Sequence, residues 1–116
     1  KEFTGYGAYS ASKLANVLFS NALAQRLKST KVTSNSLHPG VIKTKLLKKG
    51  FGMSGASLAS GAVTSVYCAT DSKLGRVSGE YFTDGQQAVA SREARDVKLQ
   101  EDFYALSCKL TGVTPL

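Results

Sequence analysis

One domain with a modest core fits a chain of 116 residues that is 42% hydrophobic and 20% charged, a balance outside the disordered range. No stretch approaches the ~20 apolar residues of a membrane-spanning helix, and the first residues do not form a signal peptide. The net charge of +7 suits an anionic partner, yet the lysines are dispersed apart from Lys43, Lys45, Lys48 and Lys49. They lack the aromatic interleaving of a nucleic-acid surface, so no nucleic acid is expected.

Lys1 to Gly7 reads as the tail of a loop, with a helix from about Tyr6 or Ala8 to Lys28. Ala8, Ala11, Leu14, Ala15, Val17, Leu18, Phe19, Ala22, Leu23 and Leu27 cover most of its circumference, which predicts a helix buried between other elements. Arg26 and Lys28 suit the negative end of its dipole. Val32 to Leu37 alternates like a strand, and a long helix feeding a short strand suits an α/β layer with a parallel sheet. His38-Pro39-Gly40 ends that strand. Ligands of such sheets sit beyond the carboxyl ends of strands, so residues 39 to 44 fall where a ligand loop belongs.

Thr44 to Gly55 is irregular, either a lid or an ordinary surface loop, with a short amphipathic turn at Lys45 to Lys49. Ala56 to Thr70 is helical, with Ala59, Ala62, Val63, Val66 and Tyr67 on its apolar side. Glu80 to Thr83 reads as a short buried strand stopped by Asp84-Gly85. The last helix runs from Arg92 or Glu93 to about Leu110, with Leu99, Phe103, Leu106 and Leu110 as a single stripe. This pattern predicts four helical pieces and two strands, the strands adjacent and parallel. Cys68 and Cys108 have no metal-ligand spacing and read as reduced core thiols, and no metal is expected.

Within the first helix, Tyr9 and Lys13 are one turn apart and share a face, which continues through Asn16 and Ser20. An ammonium beside a phenol favours the phenolate, the requirement for a tyrosine acid/base. His38, the only histidine, has no visible catalytic partner and reads as a structural hydrogen-bonding residue, as does Asn16. Ser10 and Ser12 fall off the Tyr9 face. The glycines at 50, 52 and 55 follow a lysine-rich turn rather than a strand, so they do not form a phosphate-binding turn.

The run Ala8 to Asn16 (AYSASKLAN), then Leu37 to Thr44 (LHPGVIKT) and Ser78 to Phe82 (SGEYF) together resemble short-chain dehydrogenases/reductases. The wording is most similar to the retinol-dehydrogenase-like branch, which includes the chloroplast-envelope enzymes of the Tic32 type. The resemblance covers nearly the whole chain and implies the C-terminal portion of a Rossmann-type, doubly wound parallel-sheet domain over residues 1–116, without the dinucleotide-binding half. It implies Tyr9 as catalytic acid/base and Lys13 as its partner, which also holds the nicotinamide ribose. Pro39 and Gly40 would form the nicotinamide loop, Ile42 would offer backbone groups to the carboxamide, and Thr44 its hydroxyl.

The coenzyme implied is NADP or NAD, and the partner a small-molecule alcohol or carbonyl substrate of apolar character. Peripheral membrane association and a homodimer are further options, in a reducing intracellular compartment such as the cytoplasm or a chloroplast. The glycine-rich turn and the serine that the family places on the strand before the tyrosine helix are not in this chain, so the 116 residues alone are expected to be inactive. The alternative reading is a non-catalytic interaction module, in which the lysine-rich 43–49 stretch or the last helix binds a partner protein or an acidic membrane surface.

Overall fold

The computed structural model describes residues 3–52 and 54–116, the side chains of Leu46, Leu47 and Phe51 excepted. The loop readings at Lys1, Glu2 and Met53 fall outside them. Helix α1 (Gly5–Arg26) starts earlier than its apolar pattern suggests, because Thr4 caps it: the Thr4 hydroxyl accepts from the Gly7 N–H at 3.1 Å. Strand β1 (Ser36–His38) and helices α2 (Lys45–Phe51) and α3 (Leu58–Thr70) follow. Strands β2 (Tyr81–Thr83) and β3 (Gln86–Ala88), a 3₁₀ turn at Glu93–Arg95 and helix α4 (Val97–Thr111) complete the chain.

The sheet has the order β1-β2-β3, with β1 parallel to β2 as the alternation implied. Ser36 stands opposite Tyr81, Leu37 opposite Phe82 and His38 opposite Thr83. Three differences from expectation have physical causes. Regular β1 covers only the end of the 32–37 run, because side chains replace ladder bonds before it. The Ser34 N–H donates to the Ser78 hydroxyl, and Asn35 bridges the Val77 carbonyl and the Glu80 N–H. Asp84-Gly85 does not stop β2 but turns it into a hairpin with antiparallel β3. Both residues take positive φ, 52° and 71°, the requirement of a tight primed turn. The last helix breaks at Asp96, whose carboxylate caps α4 by accepting from the Leu99 N–H.

Side chains alternate across a sheet, and the two faces of this one meet different helices. Phe82, 1% exposed, packs edge-on against Tyr67 of α3, with ring centroids 6.1 Å apart. On the opposite face the Ser34 and Ser20 hydroxyls share a hydrogen bond of 2.9 Å, which ties the strand to α1. This is a partial Rossmann-like α/β arrangement. Its Cα radius of gyration, 15.6 Å, exceeds the about 13 Å of a compact domain this long.

That openness corrects the expected burial. In α1 the first three turns are exposed, and the buried residues are Leu18, Ser20, Asn21, Ala22 and Ala24. In α3 the residues Val63 and Val66 are exposed, while Thr64 is buried and accepts the Gly85 N–H. The stripe expected to anchor α4 is largely on the surface: Leu106 is 50% and Leu110 76% exposed. Gln100, Tyr104 and Cys108 face inward instead.

The reason is polar and aromatic matching. Tyr104 stacks on Phe19 at 5.6 Å, and the Arg26 guanidinium lies 3.7 Å from the Tyr104 ring centroid. Arg26 also makes a two-pronged ion pair with Glu101 and donates to the Ala22 carbonyl. These bonds, unavailable to the leucine stripe, choose which face of α4 docks. Both cysteines are free. Cys108 is buried, but Cys68 is only half-buried, enough to push its thiol pKa up.

Candidate active site

Helix α1 carries Tyr9 and Lys13 on its exposed N-terminal half. The spacing of four brings the Lys13 Nζ to 5.3 Å from the Tyr9 ring centroid. Tyr9 is 38% exposed, so the ring can be reached by a small molecule. The Ser12 hydroxyl donates to the Tyr9 carbonyl at 2.7 Å.

A cavity of about 670 Å³ opens beside this pair. Tyr9, Lys13, Asn16 and Ser20, the polar face anticipated from spacing, all line it. Its other wall is the carboxyl end of β1, with Pro39 and Gly40. Gly40 has φ +90°, a left-handed conformation that most residues avoid, and it turns the chain sharply at the cavity wall.

Ile42 and Thr44 are placed differently. They follow the wall but do not line the cavity. Ile42 forms a parallel bridge with Ala56 in which the Val41 carbonyl and the Lys43 N–H do the bonding. The amide and carbonyl of Ile42 itself therefore point the other way. Its side chain packs on Gly61, where an added Cβ would sit 2.7 Å from Ile42 Cγ1. The Thr44 carbonyl accepts the Lys48 N–H at the start of α2.

Several lining residues were missed or read as purely structural. Asn16 and His38 line the cavity, and no hydrogen bond of the His38 ring occurs among the described residues. Ser10 lines it too, although the helical spacing sets it off the Tyr9 face. Asn35, Ser36 and Tyr81 complete the wall. The Ser36 hydroxyl is buried without a hydrogen-bond partner among the described residues, an arrangement that costs stability unless something fills it. Strand alternation places Ser36 on the face toward α1, and the Ser36–Tyr81 register could have signalled it.

The donor set fits the nicotinamide and ribose end of a dinucleotide. An ammonium, a phenol, an orphaned hydroxyl and the unused backbone groups of Ile42 are hydrogen-bonding partners for ribose and carboxamide. No glycine-rich turn that leaves a strand and enters a helix, the arrangement that receives a pyrophosphate, occurs among the described residues: the glycines at 50, 52 and 55 lie near the end of α2 or between it and α3. No cluster of three or more metal-ligating side chains occurs among them either.

A paired Tyr9 and Lys13 on one helix, facing a Pro-Gly turn at the end of a parallel strand, is the arrangement in a chain that the comparisons show to be similar to short-chain dehydrogenases/reductases. Residues 1–55 match the short chain dehydrogenase family model. That span includes Tyr9, Lys13, Pro39, Gly40, Ile42 and Thr44.

The chain is 39% identical to retinol dehydrogenase 12 of Bos taurus, over 91% of this chain and 36% of that protein. It is 37% identical to retinol dehydrogenase 12 of Homo sapiens, over 97% of this chain and 39% of that protein. Short-chain dehydrogenase TIC 32 B, chloroplastic, of Brassica napus is 38% identical, over 93% of this chain and 38% of that protein. The chain thus spans less than two fifths of the length of these relatives.

Proposed function

We propose that this chain carries the proton-transfer part of the site of an NAD(P)-dependent oxidoreductase, which interconverts an alcohol and a carbonyl by hydride transfer. The observation that carries the reading is the convergence of Tyr9, Lys13, Pro39 and Gly40 on one cavity, with the Lys13 ammonium beside the Tyr9 ring. The nicotinamide cofactor, when bound, supplies or accepts the hydride. Tyr9 gives its hydroxyl proton to the carbonyl oxygen in reduction and takes the proton from the alcohol in oxidation. Lys13, beside the Tyr9 ring, holds the ribose hydroxyls. The backbone groups of Ile42 and the Thr44 hydroxyl orient the carboxamide, and Pro39-Gly40 shape the wall against which it rests.

The names of the similar proteins favour an apolar, retinol-like alcohol or aldehyde as substrate. NADP heads the coenzyme choice and NAD follows it. The test is an assay of the full-length gene product with NADPH and NADH against apolar aldehydes and ketones, following absorbance of the reduced cofactor. Consumption that needs a carbonyl is the expected result, and no consumption with any pairing sinks the reading. The 116 residues on their own should stay at the buffer blank, because positioning supplies much of the rate and the cavity holds only one end of a dinucleotide. Turnover by the isolated chain would show that this end suffices.

A further inference from the structure

A second cavity, of about 670 Å³, opens before the amino end of β1, away from the carboxyl end that faces Tyr9. It shares no lining residue with the cavity beside Tyr9. Three segments of the chain bring a cation to it. Lys28 follows α1, Lys31 lies in the connection to β1, and Arg76 follows a 3₁₀ turn at Ser72–Leu74. No aspartate or glutamate lines this cavity, and residues 3 to 70 contain neither. All three cations are exposed, and none is in an ion pair among the described residues.

Lys28 has a role in the fold, because it stands at the negative end of the α1 dipole. That account does not extend to Lys31 or Arg76. Like charges around one cavity repel each other, and a cleft lined by one sign of charge focuses its field on whatever enters. The wall is fixed by hydrogen bonds of its own. The Thr30 hydroxyl donates to the Leu27 carbonyl and accepts the Val32 N–H, and the Ser78 hydroxyl accepts the Ser34 N–H. Preformed concavities of about 300–1,000 Å³ are the usual seats of small ligands. This one exceeds a bare phosphate ion, and Ala24, Leu27 and Val32 give it an apolar part.

From these observations we infer that Lys28, Lys31 and Arg76 form a binding site for a small phosphate monoester with an apolar or aromatic body. The phosphoryl group of such an ester carries close to two negative charges at neutral pH. The planar fork of Arg76 matches two phosphate oxygens, and the lysines act as point charges beside it. The body of the ester rests on Ala24, Leu27 and Val32. A nucleic-acid strand would call for aromatic rings on which bases stack, and none lines this cavity. The inference stands apart from the catalytic reading, and its readout is binding alone.

The experiment is isothermal titration calorimetry of the full-length gene product with phenyl phosphate, with saturating NADPH present to occupy any coenzyme site. Binding should be saturable, weaken as salt is added and be about tenfold tighter than that of inorganic phosphate, through burial of the ring. Replacing Lys28, Lys31 and Arg76 together with Gln should weaken it about a hundredfold. Arg76→Lys keeps the charge but loses the fork, and should weaken it about fivefold. The control removes the same charge elsewhere: Lys45, Lys48 and Lys49 line no part of this cavity, and their replacement with Gln should change the Kd by no more than about twofold. Circular dichroism confirms that the variants fold.

An absence of phenyl phosphate binding overturns the inference. So does an equal loss in the two triple variants, which would make net charge the cause. Inorganic phosphate that binds as tightly as the ester would make the cations a bare-anion site and also overturn it. Phenol that competes as well as the ester would remove the role of the charges and overturn it too.

Discussion

The two halves of α1 do opposite jobs. Its C-terminal half is fastened: Ala22 and Ala24 are buried, Phe19 stacks on Tyr104, and Arg26 joins Glu101. Its N-terminal half presents Tyr9 and Lys13 to a cavity and is exposed through Lys13. A helix is stiff over this length, so fixing one end positions the other. Stability is therefore concentrated around Tyr104, and the proposed chemistry of Tyr9 and Lys13 lies toward the other end of the helix. Substitutions in one half should leave the other half's property largely untouched.

The largest effect on stability is expected at Tyr104→Ala. It removes a buried ring that touches both Phe19 and Arg26 and should cost about 3–5 kcal/mol in denaturant unfolding. Any residual activity should scale with the folded fraction. Next comes Arg26→Met, which keeps the apolar stem but loses the ion pair and the cation over the ring. The expected cost is about 1–2 kcal/mol by the same unfolding measurement.

Glu101→Gln should be milder and should depend on pH. The hydrogen bond from Arg26 holds the Glu101 carboxyl below its ordinary range. A carboxylate with a lowered folded-state pKa contributes stability above its ordinary value and loses it as pH falls through the lowered one. The melting-temperature gap between wild type and Glu101→Gln should therefore be full at neutral pH and close under acid, below about pH 4. A gap that persists in acid would mean that packing, not charge, makes the contact. The smallest effect is expected at Asn16→Ala on the exposed half, within about 0.5 kcal/mol of wild type. A larger cost there would erase the distinction between the halves.

The same contrast explains what could be read from the residues alone. The face of Tyr9, Lys13, Asn16 and Ser20 was legible because helical spacing is local, and all four line the cavity. The parallel pairing of β1 with β2 was legible from a long helix feeding a short strand, the pattern of an α/β layer. The face that α4 buries was not. Its leucine stripe is the stronger apolar pattern, yet Arg26 and Phe19, some 75 to 85 residues away in the chain, select Gln100 and Tyr104 instead. The hairpin at Asp84-Gly85 had a local signal in its turn residues, but Gln86 and Gln87 lack strand-like character. Ser36 and Tyr81 entered the cavity wall through strand register, which depends on the partner strand.

The central claim is that the exposed half of α1 does chemistry while contributing little to the fold. Tyr9→Phe tests it most directly, with kcat, cofactor Kd and melting temperature measured on the full-length gene product. Loss of the acid/base hydroxyl should lower kcat about 10²- to 10⁴-fold, with cofactor Kd and melting temperature close to wild type. A variant that keeps most of its kcat would contradict the account, as would one that loses activity only because it melts.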